Sequence, residues 1–271
     1  MQKLISIDLK SDFGFFRKPD ANNTVNLSYN MIHKPAVLGI LGSIIGLGGY
    51  SQAYEKEIEI PSKRGEKRKP LFPEYYEKFK NLLIGIEPLN HEKGNFQKTV
   101  IKYSNTVGYA NNGSTYLTEE ATLIKPSYRI YLKLDLDNED QNKLYEYLKN
   151  GNTEYIPYLG KNEFPVWWDK DEFMEYEFEK IGNINNSYKI VTLFEKKGIV
   201  SDQKEQVFDL FNFHKTASPY IYFERLPKGF NEELLQYELG EFVFTTFNLN
   251  AEYIPENIYL LKKEQVYAQL Q

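Results

Sequence analysis

The sequence contains no cysteine among its 271 residues. Disulfides, thiolate nucleophiles and cysteine-ligated zinc are therefore excluded, and the composition suits a reducing compartment. Histidine is nearly as scarce, with three examples at His33, His91 and His214. Their separations lack the H-E-x-x-H or H-x-x-x-H spacing that places two imidazoles on one helix face. We therefore expect no metal centre and no cofactor.

Motifs of nucleotide binding and nucleophilic catalysis are also missing. The chain has no G-x-S-x-G elbow and no G-x-x-x-x-G-K-[ST] phosphate loop, and no G-x-G-x-x-G precedes a predicted helix. One acidic group lacks the spacing of a calcium loop and is typical of a solvated surface. It consists of Asp169, Asp171, Glu172 and Glu175.

No apolar run is long enough to cross a bilayer. The longest, within residues 35–49, spans about fifteen positions and is broken by glycines, whereas a membrane helix needs about 20. The N-terminus lacks the basic region, apolar core and cleavage site of a secretion signal, so we predict a cytoplasmic protein without membrane contact. The net charge of −5 argues against a general polyanion binder but permits a local basic surface.

The most informative segment is residues 26–50, where a polar and basic lead-in runs into an apolar helix that contains glycines. Pro35 suits the first helical position, because its missing N–H costs nothing there. The free amides of a first helical turn and the helix dipole attract anions, so this start is a candidate phosphate site. A packed core helix without a ligand explains the segment equally well. Its glycines, Gly39, Gly42 and Gly46, would allow another backbone to approach closely.

Hydrophobic periodicity divides the N-terminal part of the chain into strands and helices. We predict strands at residues 3–9, 51–60, 128–136 and 155–159, and helices at residues 35–47 and 138–148. The span 61–125 interrupts this order with irregular sequence and one short helix. The resulting order, β-α-β followed by β-α-β, is that of the ferredoxin-like fold, which RNA-recognition domains also use.

The secondary-structure pattern of the sequence changes near residue 160, after which strand-like segments dominate and helix signals are few. We therefore predict an α+β protein in two parts. Residues 1–164 form a ferredoxin-like RNA-binding domain with an insertion at about 61–125, and residues 165–271 form a β-rich C-terminal region.

Basic residues gather at a few places in this order. One set borders the predicted sheet, and its members are Arg17, Lys18, His33, Lys34, Lys125 and Arg129. Contacts from these positions would converge on one phosphate backbone. A second set is the run of Lys63, Arg64, Lys67, Arg68 and Lys69. A solvated loop explains this run as well as a phosphate track does.

A metal-free ribonuclease is one activity that these residue types allow. Such an enzyme needs a base for the 2′-hydroxyl, a cation for the phosphate and an acid for the leaving oxygen. His33 and Lys34 are of the required types, and Tyr29 or Tyr50 is a candidate for the third group. Because a His-Lys pair beside a helix start is more often a binding contact, we favour binding without catalysis.

Four sequence blocks resemble the Cas-five family of CRISPR-associated proteins, which belongs to the RAMP superfamily. FGFFRKPD at residues 13–20 is similar to the aromatic-Arg-Pro start of the family, and MIHKPAVLGILGSIIGL at residues 31–47 is similar to its Pro-x-x-x-x-Gly-x-Leu-Gly helix. ATLIKPSYRIYLKL at residues 121–134 resembles the strand that returns from the family's thumb hairpin. YIPYLGKNEFP at residues 155–165 resembles its Tyr-Leu-Gly-Lys/Arg block. Length and arrangement are most similar to the type I-B branch.

The resemblance implies a subunit that caps the 5′ handle of the CRISPR RNA in a type I Cascade surveillance complex, in antiviral defence. A ferredoxin-like core would hold the handle by its shape, phosphates and 2′-hydroxyls, and an inserted thumb hairpin would pack against the neighbouring backbone subunit. The large subunit would be a further partner, and target DNA would be reached indirectly through the complex. On this interpretation the protein is not an enzyme. Its expected RNA contacts are Arg17, Lys18, Ser28, His33, Lys34, Lys125, Arg129 and Lys161.

Two alternatives remain beside this interpretation. One branch of the family, type I-C, cleaves precursor RNA with Tyr, Lys and His, of which Lys and His lie in the thumb region. The expected thumb here, residues 95–125, contains no histidine, and this difference disfavours a precursor nuclease. The other alternative is a domain unrelated to RNA that binds a small molecule or a protein.

Overall fold

A computed structural model describes residues 1–19, 24–60, 71–104, 117–196, 207–208 and 218–271. The helices in these ranges are α1 (Lys34–Ile45), α2 (Tyr50–Glu59), α3 (Glu74–Phe79) and α4 (Glu139–Asn150), with a short 3-10 helix at Lys170–Glu172. The first strands are β1 (Gln2–Lys10), β2 (Phe13–Gly14), β3 (Phe16–Arg17), β4 (Val25–Asn26), β5 (Ser28–Tyr29), β6 (Leu83–Leu89), β7 (Lys98–Ser104), β8 (Leu117–Ile124) and β9 (Ser127–Asp135). The later strands are β10 (Met174–Tyr176), β11 (Phe178–Lys180), β12 (Phe194–Glu195), β13 (Ile221–Asn231), β14 (Gln236–Thr245), β15 (Ile258–Leu261) and β16 (Val266–Gln269).

The centre of the molecule is an antiparallel sheet in the order β10-β1-β9-β6. Helix α1 lies in the chain between β1 and β6, and α4 lies between β9 and β10. When these four strands are numbered along the chain, their spatial order is fourth, first, third, second. This is the ferredoxin-like arrangement, so the predicted α+β class and its core are confirmed.

The predicted second core strand is wrong in position. Residues 51–60 form most of α2, because the segment is rich in helix formers. Its strand signal comes from Ile58 and Ile60 alone, and both side chains are exposed. The second core strand is β6 instead, whose apolar LIGI run follows a helical segment and is hard to separate from it by periodicity.

The predicted fourth core strand is also wrong in position, because β10 takes this place beside β1. Residues 155–159 belong to no strand, and they contain Pro157, which cannot donate to a sheet ladder. They pair locally instead, through an isolated bridge between Tyr158 and Pro165. The segment is therefore a loop beside the sheet rather than a strand in it.

The predicted helices at residues 35–47 and 138–148 are confirmed as α1 and α4. Helix α4 begins after Asn138, whose Oδ1 accepts a hydrogen bond from the backbone N–H of Gln141 at 3.1 Å. It ends at Gly151, whose φ of 70° is left-handed. Both helices bury an apolar face against one side of the central sheet. Shared members of this core include Ile5, Ile7, Val37, Leu41, Ile130, Leu144 and Leu148.

The opposite face of the central sheet is covered by the C-terminal strands. Leu4 of β1 and Tyr131 of β9 are buried there against Tyr259 and Leu261 of β15. RNA-recognition domains of the RRM type stack bases on aromatic side chains of their open sheet face. Because Tyr131 is 3% exposed, this face cannot receive a base in the folded chain.

The chain between β6 and β9 contains a hairpin, within the range of the expected thumb. Strands β7 and β8 pair antiparallel, from Lys98 opposite Leu123 to Ser104 opposite Leu117. The tip of the expected thumb lies outside the described residues, and so do the basic run at 63–69 and His214.

The C-terminal part is rich in strands, as predicted, and it shares the main core. Its sheets have the orders β12-β14-β13 and β11-β15-β16. Leu226 of β13 and Phe242 of β14 belong to the same apolar cluster as α1. Residues on both sides of the predicted boundary at 164/165 are therefore packed together.

The described helices include none that is long and apolar enough to cross a membrane by itself. Helices α1 and α2 meet the length and composition criteria only as a pair, and the pair is bent by 83°.

Candidate nucleic-acid interface

A groove of about 680 Å³ runs beside the outer face of α1. Small side chains of the helix form its floor, including Ala36, Gly39 and Ser43. Rings surround this floor, and they belong to Tyr50, Tyr75, Tyr155, Tyr158, Phe230 and Tyr237. Arg17 and His33 also line it. The groove combines an aromatic wall with a guanidinium group, which are the two kinds of group that bind single-stranded nucleic acid.

Three of these tyrosines present their rings to solvent. Tyr50 is 54% exposed, Tyr155 is 60% exposed and Tyr158 is 45% exposed. Large exposed aromatic side chains around a groove have no role in the core, and every nucleobase has a face that stacks on such a ring. Tyr75 is more buried, and this burial raises the pKa of its hydroxyl group. The Tyr75 hydroxyl group is therefore uncharged at neutral pH.

The C-terminal end of α1 places two of the exposed tyrosines. Its last carbonyl groups accept hydrogen bonds from the loop that follows α4, with Glu154 N–H to the Ile44 oxygen at 2.9 Å and Tyr155 N–H to the Ser43 oxygen at 3.2 Å. These bonds satisfy carbonyls that have no partner within the helix. They also fix the loop of residues 154–160 along the groove, so that Tyr155 and Tyr158 face it.

The N-terminal end of α1 is capped by the side chain of His33. Its Nδ1 accepts a hydrogen bond from the backbone N–H of Ala36 at 3.3 Å. The ring is 6% exposed and contacts the rings of Phe16, Tyr29 and Tyr237. Burial lowers the pKa of His33 to about 3, so the imidazole is neutral at physiological pH. As folded, this predicted RNA contact carries no charge, and its cap uses one of the free helix amides.

Lys34 is likewise turned inward. The residue is 9% exposed, and its Nζ donates a hydrogen bond to the backbone oxygen of Gln271 at 3.1 Å. Burial lowers the pKa of Lys34 to about 8. The predicted His-Lys pair therefore does not present two free cations at the helix start.

Arg17, Lys18 and Ser28 lie together on the small ribbon formed by β3 and β5. Arg17 is exposed and lines the groove, and it makes no ion pair within the described part of the chain. The Lys18 Nζ lies 3.0 Å from the carboxylate of Glu224. Ser28 is buried, and its Oγ accepts from Phe16 N–H at 2.9 Å and donates to the Tyr29 oxygen at 2.6 Å. Of the three, only Arg17 has its polar group turned to the groove.

The other predicted contacts are spread over the sheet and the hairpin. Lys125 is exposed, between β8 and β9, with a φ of 47°. Arg129 forms two hydrogen bonds with the buried Asp8, of 2.7 and 2.8 Å, on the covered sheet face. Lys161 pairs with Glu120 of β8 at 2.8 Å and lies over the ring of Tyr103. None of these three residues lines the groove.

The buried histidine predicts a pH dependence of folding. The pKa of His33 is about 3 in the folded chain and about 6.5 when unfolded, so between these values the unfolded chain binds more protons. Stability should therefore be lost as pH falls below 6.5. One pKa unit corresponds to about 1.4 kcal/mol, so His33 alone should lower the free energy of unfolding by about 3 kcal/mol between pH 7 and pH 4.5.

Urea unfolding of the wild type and of His33→Asn at the two pH values measures this contribution. Asparagine keeps a side-chain oxygen for the helix cap but does not titrate, so this variant is expected to lose less stability on acidification. Equal losses in the two proteins would contradict a neutral buried histidine.

Sequence comparison finds no matching family profile and no matching curated protein. Three similar solved structures are CRISPR proteins. A CRISPR protein from Archaeoglobus fulgidus aligns over 99% of this chain and 98% of its own, at 13% identity and a TM-score of 0.46. A chain of type III-B Cmr-beta bound to cognate target RNA and AMPPnP aligns over 98% of both chains, at 12% identity and a TM-score of 0.46. A chain of a CRISPR RNA-guided surveillance complex aligns over 91% of both chains, at 9% identity and a TM-score of 0.45. At these values the similarity does not decide the function.

Sequence reasoning missed Tyr155 and Tyr158 as site residues and named Tyr50 only as a candidate nuclease group. Tyr155 and Tyr158 lie in the block that resembles the Cas-five family, but the strand predicted there suggested that alternate side chains were buried. The proline at 157 and the glycine at 160 were the signals for a loop. Tyr50 begins α2, where a strand was predicted from residue 51, so its position beside the groove was not predicted.

Proposed function

We propose that this chain is a non-catalytic RNA-binding subunit of a type I CRISPR Cascade complex, where it caps the 5′ handle of the CRISPR RNA in the cytoplasm. The observation that carries the proposal is the groove beside α1, with its exposed tyrosines and Arg17. The four sequence blocks support the same assignment, because three of them line this groove and the fourth contains the end of β8 in the hairpin.

The groove suits an unpaired RNA strand better than a duplex. Its volume of about 680 Å³ accommodates a few nucleotides rather than a helix. A duplex shields its base faces, whereas a single strand can place them on the rings of Tyr50, Tyr155 and Tyr158. Since Arg17 is the one unpaired cation among the described lining residues, stacking rather than charge should supply most of the affinity.

The hairpin of β7 and β8 offers a surface for the proposed backbone subunit. Val100 on β7 is 49% exposed and Leu117 on β8 is 71% exposed. Strand β7 pairs only with β8 among the described strands, so its other edge is open for contact. Such exposed apolar side chains are suited to burial against an adjacent chain. The large subunit and target DNA complete the partners that we propose.

Binding of handle RNA should depend on Tyr158. Removing one base-stacking ring weakens single-strand binding by about 1–3 kcal/mol, so Tyr158→Ala should raise the Kd by roughly tenfold or more. Tyr54→Ala is the matched control, because Tyr54 is 63% exposed on α2 but does not line the groove. Fluorescence anisotropy with labelled handle RNA from the protein's own CRISPR repeat measures both changes.

Three results would contradict the proposal. Equal losses of RNA affinity in the Tyr158→Ala and Tyr54→Ala proteins would show that the groove is not the RNA-binding site. Wild-type protein that binds a scrambled RNA as tightly as handle RNA at physiological salt would remove the assignment to the handle. Handle binding as tight in the Tyr158→Ala variant as in the wild type would mean that stacking in the groove is unimportant.

The proposed absence of catalysis follows from the state of the candidate nuclease groups. The Nδ1 of His33 already accepts the Ala36 N–H, and the Lys34 ammonium group is directed to the Gln271 oxygen. Tyr29 is 3% exposed, so Tyr50, at 54%, is the one candidate group of the four that is open to solvent. Repeat-containing RNA incubated with the protein and EDTA is therefore expected to stay intact. Cleavage that disappears in His33→Ala would replace this proposal with a metal-independent nuclease.

A further inference from the structure

One buried carboxylate joins the C-terminal sheet to the N-terminal ribbon. Glu224 of β13 is 9% exposed, and its carboxylate accepts hydrogen bonds from the backbone N–H of Asn30 at 3.1 and 3.2 Å and of Met31 at 3.0 Å. The Lys18 ammonium group lies 3.0 Å away. The Tyr222 hydroxyl donates at 2.8 Å. The carboxylate is thus fully engaged by an ammonium group, two amides and a phenol.

The groups that bind Glu224 come from both strands of the same ribbon. Strands β3 and β5 pair through Phe16 opposite Tyr29 and Arg17 opposite Ser28. Lys18 follows β3 directly, and Asn30 follows β5 directly. Because the strands are antiparallel, Lys18 lies beyond one end of the ribbon and Asn30 beyond the other, so Glu224 holds the ribbon at both ends.

Asn30 is held from further sides, which gives its end of the ribbon a defined position. Its Nδ2 donates to the Gly94 oxygen at 2.7 Å, and its backbone oxygen accepts from the Tyr128 hydroxyl at 2.8 Å. Its Oδ1 accepts from the Lys98 ammonium group at 3.0 Å, at the base of the hairpin. With these partners fixed, loss of the Glu224 carboxylate would release mainly the β3 side, which carries Arg17.

We propose that Glu224 is a positioning residue for RNA binding, which holds Arg17 at the groove by fixing the ribbon through Lys18 and the amides of residues 30 and 31. This inference rests on the proposed function. It gives Lys18 an indirect role, because the ammonium group predicted to meet a phosphate neutralises a buried carboxylate instead. A buried carboxylate with several donors is costly to disturb, so the arrangement is rigid.

A double-mutant cycle between Glu224 and Arg17 tests the proposal. Glu224→Gln keeps the size of the side chain but removes the charge and replaces an acceptor with a donor. It is expected to raise the Kd for handle RNA by about tenfold in the wild-type background and by less than about twofold in Arg17→Ala. The control is Glu233→Gln, which changes an exposed carboxylate in the turn between β13 and β14. This variant should leave the Kd unchanged. A general loss of stability would weaken binding equally in both backgrounds.

Hydrogen exchange of the RNA-free protein gives a measurement that does not depend on RNA binding. Amides of residues 15–19 and 28–31 are expected to exchange faster in Glu224→Gln than in the wild type, while those of β9 keep their protection. Unchanged exchange in the ribbon would overturn the proposal. Equal losses of RNA affinity with and without Arg17 would overturn it as well.

The outcomes separate this inference from the proposed function. Wild-type protein that does not prefer handle RNA would remove the function, and the exchange experiment would then decide whether Glu224 fixes the ribbon. If Glu224→Gln does not fold, Lys18→Met breaks the same contact from a side chain that is 30% exposed. That variant should give the same loss of affinity and the same dependence on Arg17. An unchanged Kd in Lys18→Met would overturn the role of the contact.

Discussion

Replacement of Gly160 by alanine is expected to destabilise the protein by about 4 kcal/mol. Gly160 has a φ of 82°, which an alanine adopts only with strain. An added Cβ would also lie 1.9 Å from the backbone oxygen of Phe15. Because this neighbour is backbone, it cannot rotate away as a side-chain end could, and one of the two segments would have to separate. Urea unfolding at neutral pH measures the loss.

The consequence of this change should extend to the groove. The Phe15 N–H donates to the Leu159 oxygen at 3.1 Å, so the close approach at Gly160 joins the loop of Tyr158 to the strand of Arg17. Protein that remains folded should therefore bind handle RNA more weakly. Gly182→Ala is the matched control, because nothing lies within 4 Å of its added Cβ. A Gly160→Ala protein as stable as this control would show that the approach of the two segments is not needed.

The parts of the fold that the sequence predicted are those in which local pattern and final environment agree. Strand β9 alternates along its length and lies at the centre of the sheet, and α4 has a cap, an apolar stripe and a terminal glycine. Strand β6 has a weak local signal, whereas the segment of β10 alternates in sequence but does not indicate which strand it pairs with. Strand β10 has three residues, and its pairing with β1 joins positions about 170 residues apart. Tertiary contacts of this kind leave no periodic trace in the sequence.

The predicted site consisted mainly of basic residues, and the sequence could not show which of them are paired with acidic residues in the folded chain. Lys18 and Arg129 have acidic partners far away in the chain, Glu224 and Asp8. Whether a basic side chain is free for a phosphate depends on such pairs, which only the folded chain brings together. Arg17 lies next to Lys18 in sequence but faces the groove instead of a carboxylate, because successive side chains of an extended segment point to opposite faces. The anion-site hypothesis for α1 likewise did not include the cap made by His33.

The two glycines of α1 show how one helix serves both packing and the groove. Gly42 faces α3, where an added Cβ would lie 2.3 Å from the Cβ of Tyr75 and 3.6 Å from its Cα. These atoms are fixed to the backbone, so Gly42→Ala must move α3 away from α1. Overpacking of this kind costs about 1–3 kcal/mol, and the better helix propensity of alanine offsets up to about 1 kcal/mol of it. A net loss of about 2 kcal/mol in urea unfolding is expected.

Gly39 lies three residues earlier and provides the matched comparison. Its added Cβ would be 3.9 Å from the Tyr75 ring, an ordinary contact, so Gly39→Ala should stabilise the protein by about 0.5–1 kcal/mol. The same methyl group would stand on the floor of the groove and take space from a bound base. Stability and affinity for handle RNA should therefore change in opposite directions in this variant. If stability and affinity both rise, the floor of the groove does not contact RNA. A gain in stability together with a higher Kd would identify Gly39 as a residue that the ligand requires.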